Sequence, residues 1–327
     1  MKNAFVIVFE EDVYNSLYET LFEDLKKSNN VYFVYEKPFP ENGFYRILPS
    51  RKLKKLTLGY SNKLYCYYYN LPILLRQLKK EYDHISVLMH NASLRKTKYP
   101  IELIAEMRKT ASFNLLYLDV RAHHWVCSYA NYLAENGAFD RLLTIDPSDA
   151  KTFGMVLCNT PYSVNKIQQE KHDIDNQVYY CGSDSGRMYL LYRFWLEAKK
   201  RGIAVEYNLS FADRFIDFFE NDDKISFAKF FPYDEVVERV LKSKCILDIT
   251  QVDQSALTVR PYEAVVYNKK LLTNNKSILN FKYYNSKYMQ YFERVEDINW
   301  DWVIENTDVN YKYQGEFSPL NLLKKLA

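Results

Sequence analysis

Residues 243–275 read SKCILDITQVDQSALTVRPYEAVVYNKKLLTNN, and the reading of this stretch decides the fold. Cys245–Thr250 is a short apolar run with the length of a buried strand, and Gln251–Thr258 is polar. Arg260–Tyr267 can form a helix opened by Pro261, and Lys270–Thr273 begins another strand. Strand, helix and strand in that order predict a βαβ unit. In open α/β sheets ligands bind beyond the carboxyl ends of the strands, and that rim carries Gln254, Ser255, Thr258, Arg260 and Glu263. So dense a run of hydrogen-bonding groups predicts a polar ligand.

The same alternation extends in both directions. Toward the N-terminus, Phe5–Phe9, Val31–Tyr35, Ile85–Met89, Leu115–Leu118 and Leu142–Ile145 read as strands, separated by helical patterns around Val13–Lys27, Leu64–Tyr82, Ile101–Lys109 and Tyr129–Asn136. The polar stretch from Lys166 to Gln177 lacks a hydrophobic period and suits a linker. Beyond it, strands are expected at Val178–Cys181, Val205–Leu209, Ala228–Phe231, Cys245–Thr250 and Lys270–Thr273, with helices at Arg187–Lys200, Ala212–Asn221, Asp234–Lys242, Pro261–Tyr267 and Val295–Asn306. The expectation is an α/β protein with two Rossmann-like domains facing across a cleft, 1–165 and 178–327, joined by 166–177, with the C-terminal tail in the second domain.

A chain of 327 residues can bury two cores of ordinary size. Hydrophobic residues make up 48% and charged residues 26%, the composition of a globular protein, with no apolar run of membrane-spanning length. The opening MKNAFVIVFEED passes directly into acidic residues and lacks the cleavage site of a signal peptide, so a cytoplasmic location is expected. The five cysteines are scattered, without a Cys-x-x-Cys pair, and read as buried thiols. A net charge of +3, from 44 basic and 41 acidic residues, is too balanced to argue for nucleic acid as a partner. The cluster Arg51-Lys52-Leu53-Lys54-Lys55 is short and single, as solvated loops are; weak peripheral contact with an anionic membrane is the alternative.

The chain has only eight glycines, and two of them, Gly182 and Gly186, bracket Ser183-Asp184-Ser185 just before Arg187. Glycine there lets backbone amides approach a ligand at a helix N-terminus, and Arg187 adds a bidentate donor for phosphate oxygens. Ser185, Gly186 and Arg187 are thus the expected anion-binding groups, against the plainer reading of a turn with an exposed arginine. The spacing is not G-x-G-x-x-G, and no glycine follows the first strand, so a dinucleotide cofactor is not expected. No HExxH motif, Cys/His ligand spacing, P-loop or Gly-x-Ser-x-Gly elbow occurs, and no metal is expected. Asp173-Ile174-Asp175 is formally a DxD, but it lies in the expected linker.

Taken together, Asp248, Gln254, Leu257, Thr258, Arg260, Glu263 and the strand Lys269–Asn275 resemble the donor-binding segment of GT-B glycosyltransferases, in particular bacterial enzymes of lipopolysaccharide and capsule assembly. Phe139–Gly154 followed by Pro161-Tyr162-Ser163 is similar to the end of the N-terminal domain in the same family, and the resemblance runs from about Leu115 to Asn275. It implies that Glu263 accepts hydrogen bonds from ribose hydroxyls, that Gln254, Ser255 and Thr258 face the diphosphate and sugar, that Arg260 neutralises phosphate, and that Gly182–Arg187 is the phosphate loop. An ion pair between Glu263 and Arg260 at i−3 is the alternative for that carboxylate. Ser255-Ala256 departs from the family, in which a glycine often follows the glutamine.

The resemblance further implies that the junction Lys229–Asp234 lines a base pocket, with Phe231 and Tyr233 as candidates to stack on the base; core packing accounts equally well for one of the two. Sugar transfer with inversion needs a base for the acceptor hydroxyl. Among the polar groups at the ends of the first-domain strands (Glu10–Asp12, His90–Ser93, Asp119–His124 and Asp146–Asp149), Asp119 and His123 are the candidates. Two glutamates seven residues apart, the retaining signature, are absent around Glu263, which favours inversion. The implied function is metal-independent transfer of a sugar from a nucleotide-sugar to a saccharide, lipid-linked or protein-linked glycan in bacterial surface-glycan assembly. The alternatives are a GT-B-shaped binding or scaffold subunit without catalysis and a nucleotide-sugar epimerase.

Overall fold

The computed structural model describes residues 1–11, 16–39, 68–121, 124–164, 173–220, 222–251 and 255–326. The chain divides into two compact units, Met1–Pro161 with Ser318–Ala327, and Tyr162–Phe317.

In the first unit the strands are β1 (Asn3–Glu10), β2 (Val31–Glu36), β3 (His84–His90), β4 (Ser112–Tyr117), β5 (Arg141–Thr144) and β6 (Val156–Leu157). They form one sheet in the order β2-β1-β3-β4-β5-β6, with every pairing parallel. Strand β1 is apolar from Ala4 to Phe9 without alternation, and all six residues are buried. A strand covered on both faces has no solvent face for polar residues to occupy.

The second unit repeats the plan with β7 (Asn176–Ser183), β8 (Val205–Ser210), β9 (Ile225–Ala228), β10 (Ser243–Asp248), β11 (Lys270–Thr273) and β12 (Met289–Tyr291). The order is β12-β11-β10-β7-β8-β9, again parallel throughout. The chain builds outward from β7 through β8 to β9, then returns to lay β10 on the other side of β7. Strands β7 and β10 therefore flank the topological switch point, where loops diverge and leave room for a ligand.

Two expectations are corrected. The strand expected at Ala228–Phe231 lies three residues earlier, because Ile225–Ala228 pairs with Tyr207–Ser210; Phe231 is left in the connection to the helix Tyr233–Leu241, which begins just after Pro232. The C-terminal tail belongs to the first unit. There Arg141 Nη1 donates to the Lys325 carbonyl at 2.5 Å, Lys325 Nζ to the Leu157 carbonyl at 2.8 Å, and Ser318 Oγ to Asp24 at 3.1 Å. These partners are fixed by the completed sheet and leave no trace in the tail's own pattern.

Candidate functional site

At the end of β10, Asp248 sits opposite Thr273 of β11 and is buried. Its Oδ2 accepts from Thr273 Oγ1 at 2.8 Å and its Oδ1 from Thr258 Oγ1 at 2.9 Å. Thr258 caps the helix Val259–Val266, its Oγ1 accepting from the Arg260 amide at 3.1 Å. Asn275 Nδ2 donates to the Ala256 carbonyl at 2.9 Å and ties the same loop to the end of β11. The polar residues that look like a ligand surface in the sequence thus serve in part to fix the loop. Burial pushes the Asp248 carboxyl above its ordinary value, while Thr273, Thr258, Arg260 and Arg187 pull the other way. Both arginines therefore lie within electrostatic reach of one buried carboxylate.

Glu263 is fully buried. Its Oε2 pairs with Arg260 Nη1, and its Oε1 accepts from the Tyr233 hydroxyl. The Tyr233 and Tyr162 hydroxyls lie 3.2 Å apart, and the Tyr162 hydroxyl donates to that of Tyr267 at 3.0 Å. The i−3 ion pair offered as the alternative is what forms. Glu263 and Tyr233, expected to meet ribose and base, are buried, and their contact joins the helices Tyr233–Leu241 and Val259–Val266. Burial raises the Glu263 carboxyl's pKa against the opposing pull of Arg260 and Tyr233.

The glycine loop behaves differently. Ser185 (φ 35°) and Gly186 (φ 80°) both take left-handed backbone, and the Arg187 amide closes the turn on the Asp184 carbonyl at 2.7 Å. Arg187 N-caps the helix Met188–Lys200 without a side-chain cap bond. Its Nη1 donates to the Tyr180 hydroxyl at 3.2 Å, and its Nε is buried without a hydrogen-bond partner among the described residues. A Cβ on Gly182 would stand 2.5 Å from the Tyr180 hydroxyl and 3.1 Å from Arg187 Nη1. Any other residue at 182 would have to displace the Tyr180 hydroxyl.

Gly182 near the end of β7, with Ser185, Gly186 and Arg187 just beyond it, and Ser255, Thr258 and Arg260 beyond β10 thus stand on the two sides of the switch point. Ser255 is exposed, and Phe231, half-buried, follows the edge strand β9. Gln254 and His123 lie outside the described residues, as do Cys66 and the basic cluster at 51–55.

In the first unit, Asp119 follows the end of β4 and its Oδ2 accepts from Asn91 Nδ2 at 2.9 Å. Asn91 Oδ1 in turn accepts from the Leu118 amide at 2.8 Å. The neighbouring His90 is 1% exposed. Its Nδ1 accepts from the Ser93 amide at 3.2 Å, and its Nε2 is buried without a hydrogen-bond partner among the described residues. Tyr18 stacks on the imidazole at 4.8 Å and Phe9 meets it edge-on at 5.6 Å. Burial holds the His90 pKa at about 3, and a neutral ring accepting at Nδ1 carries its proton on Nε2. His90 is therefore a buried donor and has no free lone pair with which to act as a base. The sequence places it on the strand-end rim, but its tautomer depends on the backbone of Ser93.

Of the other rim groups, Asp146 caps the helix Pro147–Phe153, accepting from the Asp149 amide at 2.9 Å. Asp149 accepts from the Arg121 amide at 2.7 Å. Glu10 is buried, with Lys96 Nζ at 3.6 Å. Among the described residues no group of three His, Cys, Asp or Glu side chains could hold a metal ion, and no helix is long and apolar enough to cross a membrane.

No protein-family model matches the chain, and no curated protein does. Solved structures do. The chain is similar to HepE of Anabaena in complex with UDP-glucose, at TM-score 0.58 and 11% identity over 98% of each chain. It is similar to an α-glucosyltransferase in complex with UDP and a 13-mer DNA containing an HMU base, at TM-score 0.55 and 10% identity, over 86% of this chain and 81% of that one. It is also similar to a sucrose-phosphate synthase from Thermosynechococcus elongatus, at TM-score 0.51 and 9% identity, over 90% and 87% of the two chains. The fold is GT-B: two Rossmann-like α/β domains, each built on a parallel six-stranded sheet.

Proposed function

We propose that the protein is a glycosyltransferase that takes a sugar from a nucleotide-sugar donor, without a metal ion and with inversion, and passes it to a saccharide, lipid-linked or protein-linked glycan of a bacterial surface. One observation carries the reading: Arg187, at the switch point of the second sheet, has a buried Nε that no described residue satisfies. A buried unmatched donor on a cation costs on the order of 1–3 kcal/mol or more, which an anionic oxygen would recover. A diphosphate at the Ser183–Arg187 turn would meet that guanidinium, and the charge gathering on it as the sugar departs is what a fixed cation stabilises. Support comes from the fold and from two similar structures that hold UDP-glucose or UDP.

In this reading Arg187, Gly182, Ser185, Gly186, Ser255, Thr258 and Gln254 face the donor, Phe231 faces the base, and Arg260 adds positive potential from inside. Asp119 is the proposed base for the acceptor hydroxyl, with His123 as the other candidate. The balanced net charge favours a glycan over a nucleic acid as acceptor.

The test is a thermal-shift panel of UDP, GDP, CMP and dTDP, since a ligand bound only by the native state raises the melting temperature, by about 2.7 kcal/mol of added stability at a hundredfold its Kd. One of the four is expected to raise it. A flat response to all of them would remove the donor site.

A further inference from the structure

The second unit has a cavity of about 350 Å³ beside the glycine loop, bordered by Asp184 and Gly186 but not by Arg187. Its walls are aromatic. Tyr189 and Tyr192 come from the helix Met188–Lys200, and Phe215 and Phe218 from the turn of 3-10 helix Asp213–Phe219. Phe218 meets Tyr192 edge-to-face at 5.6 Å and 90°, and Phe215 at 5.6 Å and 74°. Tyr189 is 72% and Phe218 49% exposed, so ring surface stays open to water. At one side Asp184 pairs with Arg214, whose guanidinium carbon lies over the Phe215 ring at 4.7 Å from its centre.

These walls select among ligands by their chemistry. An acyl chain would cover the rings but leave the carboxylate and guanidinium without partners. A phosphate would meet the Asp184 carboxylate. A nucleobase could stack, but it brings few hydroxyls to the ion pair. A sugar ring offers an apolar C–H face to the aromatic rings and, at its edge, hydroxyls that both donate and accept, as a carboxylate beside a guanidinium requires. The volume falls in the range of small-ligand sites, about 300–1,000 Å³.

We propose that this cavity is a saccharide-binding site within the second unit. Its use, to hold a glycan acceptor or product next to the donor loop, rests on the function proposed above; sugar binding itself does not.

The experiment is saturation-transfer NMR on the full chain with maltose, cellobiose, lactose and chitobiose, run beside a separate UDP titration. At least one disaccharide is expected to receive saturation at its ring C–H protons. Tyr189→Ala and Phe218→Ala should each weaken that binding about tenfold, the scale of one lost aromatic contact, with the UDP response held within about twofold. Tyr189→Phe, which keeps the ring face, should retain it. Tyr189 is largely exposed, so its variants test the site without disturbing the core. The proposal is overturned if none of the four sugars is saturated, if the binding sugar keeps its affinity in both alanine variants, or if only uridine or an octyl chain reports on the cavity. Sugar binding that maps to the cavity without any UDP response would instead defeat the donor reading and leave this site standing.

Discussion

Arg260 Nη1 pairs with Glu263 Oε2 one helical turn away, and the carboxylate is sealed from solvent with its other oxygen on the Tyr233 hydroxyl. Both charges have been withdrawn from water, so each depends on the other. Removing one leaves the other buried and uncompensated, at a cost of about 3–5 kcal/mol, far more than a surface pair would lose. Glu263→Ala is therefore expected to lower stability by that amount in urea denaturation. Adding Arg260→Met to the same chain should restore part of it. A loss under about 1 kcal/mol in the single variant would show the pair to be solvated.

Arg187→Gln removes the charge and leaves the helix start intact. As a hypothesis resting on its unsatisfied Nε, calorimetric affinity for the nucleotide that raises the melting temperature should fall about tenfold to a hundredfold, the worth of a charge-assisted hydrogen bond. Unchanged affinity would place the diphosphate elsewhere.

Gly182→Ala tests the same group from behind. The added methyl would stand 2.5 Å from the Tyr180 hydroxyl, so Tyr180 and Arg187 must move together. Stability should drop by about 1–3 kcal/mol, the usual cost of overpacking, with nucleotide affinity falling alongside. Loss of stability with full affinity would separate the packing from the binding.

His90 makes a pH prediction. Its folded pKa of about 3 lies below the unfolded value near 6.5. Between those values the unfolded chain binds the extra proton, so stability is present above about pH 6.5 and falls as the solution is acidified toward 3, with a limiting slope of about 1.4 kcal/mol per pH unit. His90→Gln should remove that contribution. An unaltered acid limb in chemical denaturation would show that His90 is protonated, or solvated, in the folded state.

Asp119→Asn keeps the size and the Asn91 contact but removes basicity. Under the base hypothesis turnover should fall roughly 10²–10⁴-fold with nucleotide affinity nearly intact. His123→Ala is the parallel test. Full turnover in both would move the base to another strand end.

Central strands are legible because they are buried on both faces: the run at Phe5–Phe9 of β1 and Cys245–Leu247 of β10 show as unbroken apolar sequence. Val156–Leu157 is two exposed residues long, and Met289–Tyr291 three residues, too short for any period to show. The Arg260–Glu263 pair is readable from its spacing, but its burial is not, since Tyr233 arrives from thirty residues away. Arg187 is marked by the two glycines just before it in a chain that has only eight. The saccharide cavity has no motif, because its rings come from two segments brought together only by the pairing of β7 with β8.

The tail that returns to the first unit makes that unit discontinuous in the chain, with the whole second unit inserted between its two segments. During synthesis the first sheet must wait, with the carbonyl of Leu157 and the guanidinium of Arg141 unmatched by their tail partners, until the whole second unit has left the ribosome and Lys325 follows it. A protease cut between Val164 and Asp173 would divide the backbone, yet the C-terminal fragment would still carry Ser318–Ala327, the piece that docks on the N-terminal one. The chain's last ten residues thus act as a clasp, so a nicked protein should run as one particle in native buffer and as two in denaturant.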